Sequence, residues 1–171
     1  MRKFWVLILG LILIPQAWAG VFEHPQRLEK ISSEVPELKD ISCHFAQEKV
    51  LPSSKVVIKS SGDFKFEKNK GVTFYTTYPI KSTNSYSSRE YKQINSIISA
   101  ISNKSYSRLE RDFNFFYESK PAAWQLGLMP KKGTQVFNYL KSIEISGNRE
   151  MITKIVILPV DLSKTTIWFR K

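Results

Sequence analysis

The chain has little of the chemistry that most enzyme active sites use. Its 171 residues include one cysteine, two histidines and seven glycines. A single cysteine excludes an intramolecular disulfide, and two isolated histidines without matching cysteine or carboxylate spacing do not make a metal site. The sequence contains no phosphate-binding glycine loop, no G-x-S-x-G elbow and no cysteine–histidine motif. We therefore expect a protein that is not an enzyme, with no catalytic residue, no metal and no cofactor.

Long hydrophobic runs are also scarce, and the longest lies at the N-terminus. A basic start is followed by an apolar stretch from Phe4 to Ile14 and by the small-residue site Ala17–Ala19. This order is typical of a signal peptide, residues 1–19, that is cut after Ala19. The apolar stretch is too short to span a bilayer comfortably. We expect residues 20–171 to form a single soluble, exported domain with no lipid anchor of its own.

The charge is unbalanced, because 26 Lys and Arg against 15 Asp and Glu give a net charge of +11 at pH 7. The basic residues are spread along the chain rather than gathered in one run. Two interpretations stay open: a solvated basic surface, and attraction to the anionic headgroups of a membrane. Since the chain is expected to be exported and has no nucleic-acid motif, we expect no nucleic acid among its partners.

A strongly patterned aromatic hairpin is the most informative feature present. Phe64 and Phe66 alternate with polar residues, and so do Val72 and Phe74 after the turn at 69–71. A period of two is typical of a strand with one buried and one solvated face. The turn has a glycine that can take positive φ. We therefore predict two paired strands that share one apolar face, and this face needs a cover.

Two other segments have helical spacing. The first holds Leu28, Ile31 and Val35 between Pro25, which opens the segment, and Pro36, which ends it. The second follows the i, i+3, i+4, i+7 pattern of an amphipathic helix, with Ile94, Ile97, Ile98 and Ile101.

Alternation predicts further strands at Ile41–Phe45, Val56–Ile58, Trp124–Leu128, Ile143–Ile145, Ile155–Ile157 and Ile167–Phe169. Cys43 shares the parity of its apolar neighbours, so we expect a buried, inert thiol.

Residues 81–85 fit a loop or an edge strand. Residues 104–120 stay open, because a helical stripe (Leu109, Phe113, Phe116, Tyr117) and a strand (Phe113, Phe115, Tyr117) fit equally well. Helices that interrupt an antiparallel strand series indicate a mainly β, α+β domain.

Several short motifs around the hairpin occur in a fixed order. Phe45 and Gln47 precede Gly62/Phe64/Phe66, then Lys68, then Tyr78-Pro79. In this order they resemble the periplasmic outer-membrane lipoprotein carriers of the LolA type, in which F-x-Q, G-x-hydrophobic-x-hydrophobic, a basic residue and a strand ending in proline follow one another. Lys68-Asn69 stands where the family usually has arginine and proline. The segments 152–157 and 165–169 are similar to the family's final strand pair.

The resemblance implies a fold and a function. The fold would be an incompletely closed antiparallel β-barrel with a helical lid over an apolar cavity. Phe64, Phe66, Val72 and Phe74 would form the cavity wall, Lys68 the lid latch, and the two helical segments with Leu28, Ile31, Val35, Ile94, Ile97, Ile98 and Ile101 the lid. The chain would be a periplasmic monomer that binds acylated cargo, a lipoprotein or another lipid. It would take this cargo from an inner-membrane exporter to an outer-membrane acceptor.

Two other functions stay open on the residues alone. The chain could be a non-transporting accessory module of an envelope complex, with the aromatic hairpin as ordinary core. It could also be an envelope enzyme that modifies lipids, for which Glu48, Asp63, Glu110 and Asp112 are the best acid–base candidates, on sequence proximity alone.

Overall fold

The protein is described here by a computed structural model that covers residues 20–84 and 89–171. The predicted signal peptide, residues 1–19, lies outside the described residues. The described chain forms one nine-stranded antiparallel sheet in the order β4-β3-β2-β1-β9-β8-β7-β6-β5. Its strands are β1 Ile41–Leu51, β2 Val56–Glu67, β3 Gly71–Tyr78, β4 Ser82–Asn84, β5 Phe113–Lys120, β6 Ala123–Pro130, β7 Leu140–Gly147, β8 Ile152–Pro159 and β9 Lys164–Arg170.

The pairing of β1 with β9 joins the two halves of the sheet. Consecutive strands pair as hairpins in each half, and the register Phe45↔Phe169 brings the last strand beside the first. The sheet is open, because β4 and β5 are its two edges. The mainly β, α+β fold class predicted from the sequence is therefore confirmed.

Buried side chains of all the longer strands share one face of the sheet, which we call the inner face. The register aligns Cys43 with Phe64 and Phe64 with Phe74, so the period-two residues of neighbouring strands meet on this face. Gly62 allows the close approach of β2 and β3 at a register shift, because a Cβ there would lie 2.0 Å from the Tyr75 carbonyl oxygen. The hairpin and its alternation are confirmed, and Gly71 has the positive φ expected at its turn, 82°.

Three α-helices accompany the sheet: α1 Leu28–Glu34, α2 Arg89–Ser102 and α3 Ser107–Asp112. The helical spacing of Leu28 and Ile31 is confirmed, but the helix does not begin at Pro25 and it ends just before Val35. Pro25 forms an isolated bridge with Phe116 instead, and Val35 has extended backbone, since a residue that precedes proline is disfavoured in the helical region.

The structure assigns both segments that the sequence left open. Ser82–Asn84 is an edge strand. Leu109 belongs to α3, and the chain changes to β5 at Phe113. The residues before α1 lie along the β5 edge, where Gln26 N donates to the Phe115 carbonyl and Tyr117 N donates to the His24 carbonyl, both at 3.0 Å. This contact protects one edge of the open sheet from pairing with another chain.

Candidate functional site

The four residues predicted to line a cavity lie together on the inner face. Phe64 pairs with Phe74 and Phe66 with Val72 across β2 and β3. All four are at most 5% exposed. The two pairs thus form one continuous apolar surface, and its role as a binding wall stays a prediction.

Aromatic rings extend this surface across β1 and β9. Phe74 makes edge-to-face contacts with Phe45 and Phe64, at ring-centroid distances of 5.1 and 5.0 Å, and Phe64 lies 4.6 Å from Phe169. Such pairs contribute about 0.5–1.5 kcal/mol each beyond the apolar area they bury. The inner face therefore has a rigid aromatic centre at the junction of the two halves of the sheet.

The helical segments cover this face with their apolar residues. Ile31 of α1 and the isoleucines of α2 are buried in the same cluster as the strand residues, and each is at most 2% exposed: Ile31, Ile94, Ile97, Ile98 and Ile101. Leu28 packs against the cluster from its margin, and Val35, just beyond α1, is fully buried. The spacing predicted from the sequence thus identifies the side of each helix that meets the sheet.

Polar contacts join the end of α1 to the end of α2. Lys104 Nζ donates to the carbonyl oxygens of Ser32, at 3.0 Å, and of Val35. The buried hydroxyl of Ser102 donates to the Leu38 carbonyl at 3.0 Å. Partial burial lowers the pKa of Lys104 below its usual range, an effect that the nearby Glu37 opposes. Sequence reasoning missed these residues, because the contacts join positions 64 to 72 residues apart.

Two more contacts hold α2 to the sheet. The Asn95 side-chain oxygen accepts a hydrogen bond from Val72 N at 3.0 Å. Gln93 Nε2 donates to the Tyr139 hydroxyl at 2.8 Å. The isoleucines of α2 are buried in the same cluster as the strand residues, so these hydrogen bonds accompany a large apolar contact.

Lys68, the predicted latch, lies in the β2–β3 turn and contacts the connection between α1 and β1. Its Nζ forms an ion pair with Glu37 at 2.6 Å, and its backbone N donates to Asp40 at 2.8 Å. The hydrogen bond from Lys68 lowers the pKa of the exposed Glu37 carboxyl. The carbonyls next to α1 are contacted by Lys104 rather than by Lys68, and the latch role of Lys68 stays a prediction.

The chain's single thiol lies beneath the helical cover. Cys43 lines a small hollow of about 20 Å³ with Phe64, Phe66 and Ile98. This volume holds about one water molecule. Burial raises the pKa of Cys43 to about 11, and the Asp63 charge adds to the effect. The prediction of a buried thiol is confirmed, and its raised pKa disfavours the reactive thiolate.

A larger cleft opens at the other end of the strands. We call the end with the β1–β2 and β8–β9 turns the tip end, and the end with the β2–β3 and β7–β8 turns the far end. The tip-end cleft has a volume of about 450 Å³; its lining includes Leu140, Ile143 and Ile157 at its apolar side and Lys49, Tyr139 and Val160. Since Ile143 and Ile157 belong to the buried core, the cleft reaches the inner face from outside.

Two of the four acid–base candidates, Glu48 and Asp63, contact basic side chains on neighbouring strands. Glu48 forms an ion pair with Lys59 at 3.1 Å, and Asp63 contacts His44 Nδ1 at 2.7 Å. These pairs bridge neighbouring strands on the solvent side of β1 and β2. Within residues 20–84 and 89–171, no group of three or more His, Cys, Asp or Glu side chains is suited to hold a metal ion.

No family model and no curated protein matches the chain. The likeness to lipoprotein carriers therefore depends on the residues quoted for it above. In the part of the chain that the structure describes, no helix combines the length and apolar character needed to cross a bilayer.

Proposed function

We propose that this chain is a periplasmic carrier that binds the acyl chains of a lipoprotein or another lipid and moves them from an inner-membrane exporter to an outer-membrane acceptor. In this proposal the open sheet is an incompletely closed barrel, α1 and α2 are its lid, and the inner-face aromatics are the cavity wall. The observation that carries it is the helical cover, which meets the aromatic face mainly through apolar side chains and is held by hydrogen bonds at its margins.

The energetics of such a site favour a bound chain with a movable cover. Each buried methylene contributes about 0.8 kcal/mol, so an acyl chain of about 14 methylenes gains roughly 10 kcal/mol gross. Displacing the isoleucines from the aromatic face costs free energy of the same kind, since they leave an apolar contact. The cover thus offsets part of the gain, and a carrier that must release its cargo needs this reduction.

The tip-end cleft supports an entry route. It already reaches Ile143 and Ile157 on the inner face, and α2 borders it through Gln93. An acyl chain that enters there would move along the face toward Phe64 and Phe74 as α2 shifts. Lys104 and Ser102 at the α1–α2 junction, and Lys68 beside the connection from α1 to β1, would then set how readily the cover moves.

The native Cys43 provides a test of the moving cover, because it lies between the inner face and Ile98. The test follows the reaction of the thiol with a thiol-specific reagent in increasing urea, beside global unfolding by circular dichroism. If the cover opens by itself, we expect labelling with a weaker urea dependence than global unfolding, since a local opening exposes less surface. We also expect a bound fatty acid such as oleate to slow the labelling. The Cys43→Ala variant provides the unlabelled baseline.

The main alternative is an accessory module with no cargo, and the small hollow under the cover favours it. The hollow beside Phe64 and Phe66 has a volume of about 20 Å³, and an ordinary protein core also contains spaces of this size. For this module, Cys43 would react only through global unfolding and oleate would not change the rate. That result, together with no uptake of a fluorescent fatty acid, would exclude the carrier.

A further inference from the structure

Large exposed apolar residues concentrate at the tip end of the sheet. Within the described residues, those at or next to the turns of this end are Val50, Val56, Val57, Ile58, Tyr78, Ile80, Met129, Phe137, Val160 and Leu162. The remaining one, Tyr75, lies within β3. Exposed apolar residues that concentrate in one region of a surface are typical of sites that bind a protein, a ligand or a membrane.

The β1–β2 hairpin forms the most prominent part of this surface. Every residue from 52 to 59 is exposed. Since alternate strand residues point to opposite faces, the exposed run of Val56, Val57 and Ile58 means that both faces of β2 are uncovered there. β3 pairs with β2 only from Ser61 onward, so the hairpin extends past its neighbour on that side.

Positive charge accompanies these apolar residues. The segment 49–59 has three lysines, Lys49, Lys55 and Lys59, and no acidic residue. Glu48, just outside the segment, forms an ion pair with Lys59. Lys164 at the start of β9 is the register partner of Val50 and adds a further basic residue. The hairpin therefore combines apolar side chains with an excess of cations.

The β8–β9 turn extends the same surface beside the cleft. Val160 and Leu162 are 44% and 48% exposed, and Asp161 between them is held by Ser163 through two hydrogen bonds, at 2.9 and 2.6 Å. Both Val160 and Lys49 line the tip-end cleft. The exposed apolar residues thus border the opening to the inner face.

We propose that the tip end is a membrane-docking surface, in which the β1–β2 hairpin and the β8–β9 turn insert their apolar side chains among the headgroups of an anionic lipid bilayer. Apolar side chains flanked by basic ones bind such interfaces through buried area and electrostatic attraction together. The tip end is basic, so an anionic bilayer complements its charge. A second copy of this basic chain would not. This inference does not depend on acyl-chain transport, because it concerns the outer surface of the tip end.

Cosedimentation with vesicles tests the proposal, and phosphatidylcholine vesicles with and without phosphatidylglycerol are the probe. We expect the full chain to bind the anionic vesicles and to bind less as salt rises. Replacing Lys55 and Lys59 by Gln should weaken binding about 25-fold, since each basic residue near an anionic surface contributes about fivefold. Replacing Val56, Val57 and Ile58 by Ser should weaken it at least about tenfold.

Matched controls come from the far end, where Lys70 lies in the β2–β3 turn and Lys120 is the last residue of β5. Their replacement by Gln removes the same charge and should leave at least half of the binding. The proposal is overturned if wild type does not bind anionic vesicles, or if the controls lose as much binding as the hairpin variants. It is also overturned if sedimentation shows that the hairpin forms dimers that the Ser variant abolishes while vesicle binding persists. Fatty-acid uptake without vesicles is measured separately, so failure of docking is distinguishable from failure of transport.

Discussion

The two ends of the sheet differ in what they present to solvent. The tip end carries the exposed apolar residues of the β1–β2, β3–β4 and β8–β9 turns, such as Val57, Ile80 and Leu162. The far end presents several ion pairs: Lys68–Glu37 at 2.6 Å, Lys171–Glu150 at 2.7 Å, Lys70–Glu67 at 3.3 Å and Lys120–Glu118 at 3.3 Å. One sheet thus has an apolar, basic end and a polar, charge-paired end.

This difference extends to the space beneath the cover. The tip-end cleft is about 450 Å³, whereas the hollow at the far end, near Cys43 and Met151, is about 20 Å³. The ion pairs of the far end are exposed, and such pairs contribute little to stability individually. Of the cleft and the hollow, the wider space therefore lies at the tip end.

The largest expected effect is on the free energy of unfolding, where substitutions of buried and of exposed apolar residues should differ most. Phe74→Ala should lower the free energy of unfolding by about 3–5 kcal/mol, because the ring is 1% exposed and packs against the rings of Phe45 and Phe64. Val57→Ala should change it by less than about 0.5 kcal/mol, because Val57 is 44% exposed. Urea unfolding of both variants measures the difference. Similar losses would mean that the tip residues pack in the monomer and are not a free surface.

Much of the sheet could be predicted from local pattern. The aromatic hairpin and the helical face of α2 follow from periods of two and 3.6, which one segment reveals by itself. Residues 104–120 were ambiguous for a physical reason: Phe113 and Tyr117 satisfy both periods, and the change from helix to strand falls at Phe113. Local pattern cannot place such a boundary when the same residues suit both states.

The candidate site was less predictable, because it depends on contacts between distant segments. The pairing of β1 with β9 and the hydrogen bonds of Ser102 and Lys104 join residues far apart in sequence. One local feature of the sequence does indicate the apolar tip end. Val56, Val57 and Ile58 are consecutive apolar residues between Lys55 and Lys59, and a strand with one solvated face would alternate there.

The next effect compares two lysines near the far end: Lys104 contacts the end of α1, and Lys68 contacts the connection between α1 and β1. Lys104→Met removes hydrogen bonds to the Ser32 and Val35 carbonyls, and bonds to charged groups are worth about 1.5–3 kcal/mol. We expect Cys43 labelling to accelerate at least about tenfold, since the cover loses this contact. Lys68→Met removes an exposed ion pair with Glu37 and should change labelling less than about threefold.

The conservative variant Lys104→Arg, which keeps a charged donor, should label at close to the wild-type rate. Global unfolding measured beside labelling shows whether an acceleration is local. Equal labelling rates in the Lys104→Met and Lys68→Met variants would contradict the assignment of Lys104 as the stronger contact. They would mean that Lys68 holds the cover as strongly as Lys104 does.

The last effect is confined to alkaline pH and uses the buried thiol itself to compare the two ends. Burial at the far end raises the pKa of Cys43 from 9.0 to about 11, so the folded state keeps a proton that the unfolded state releases between these values. The stability that depends on this proton is fully present below about pH 9 and falls as pH rises toward 11. Unfolding of wild type and Cys43→Ala between pH 8 and 10.5 isolates the contribution, because Tyr106, whose pKa burial raises to about 12, is present in both. Parallel profiles would mean that solvent already reaches Cys43 in the native state, and the far end would then be as accessible as the tip end.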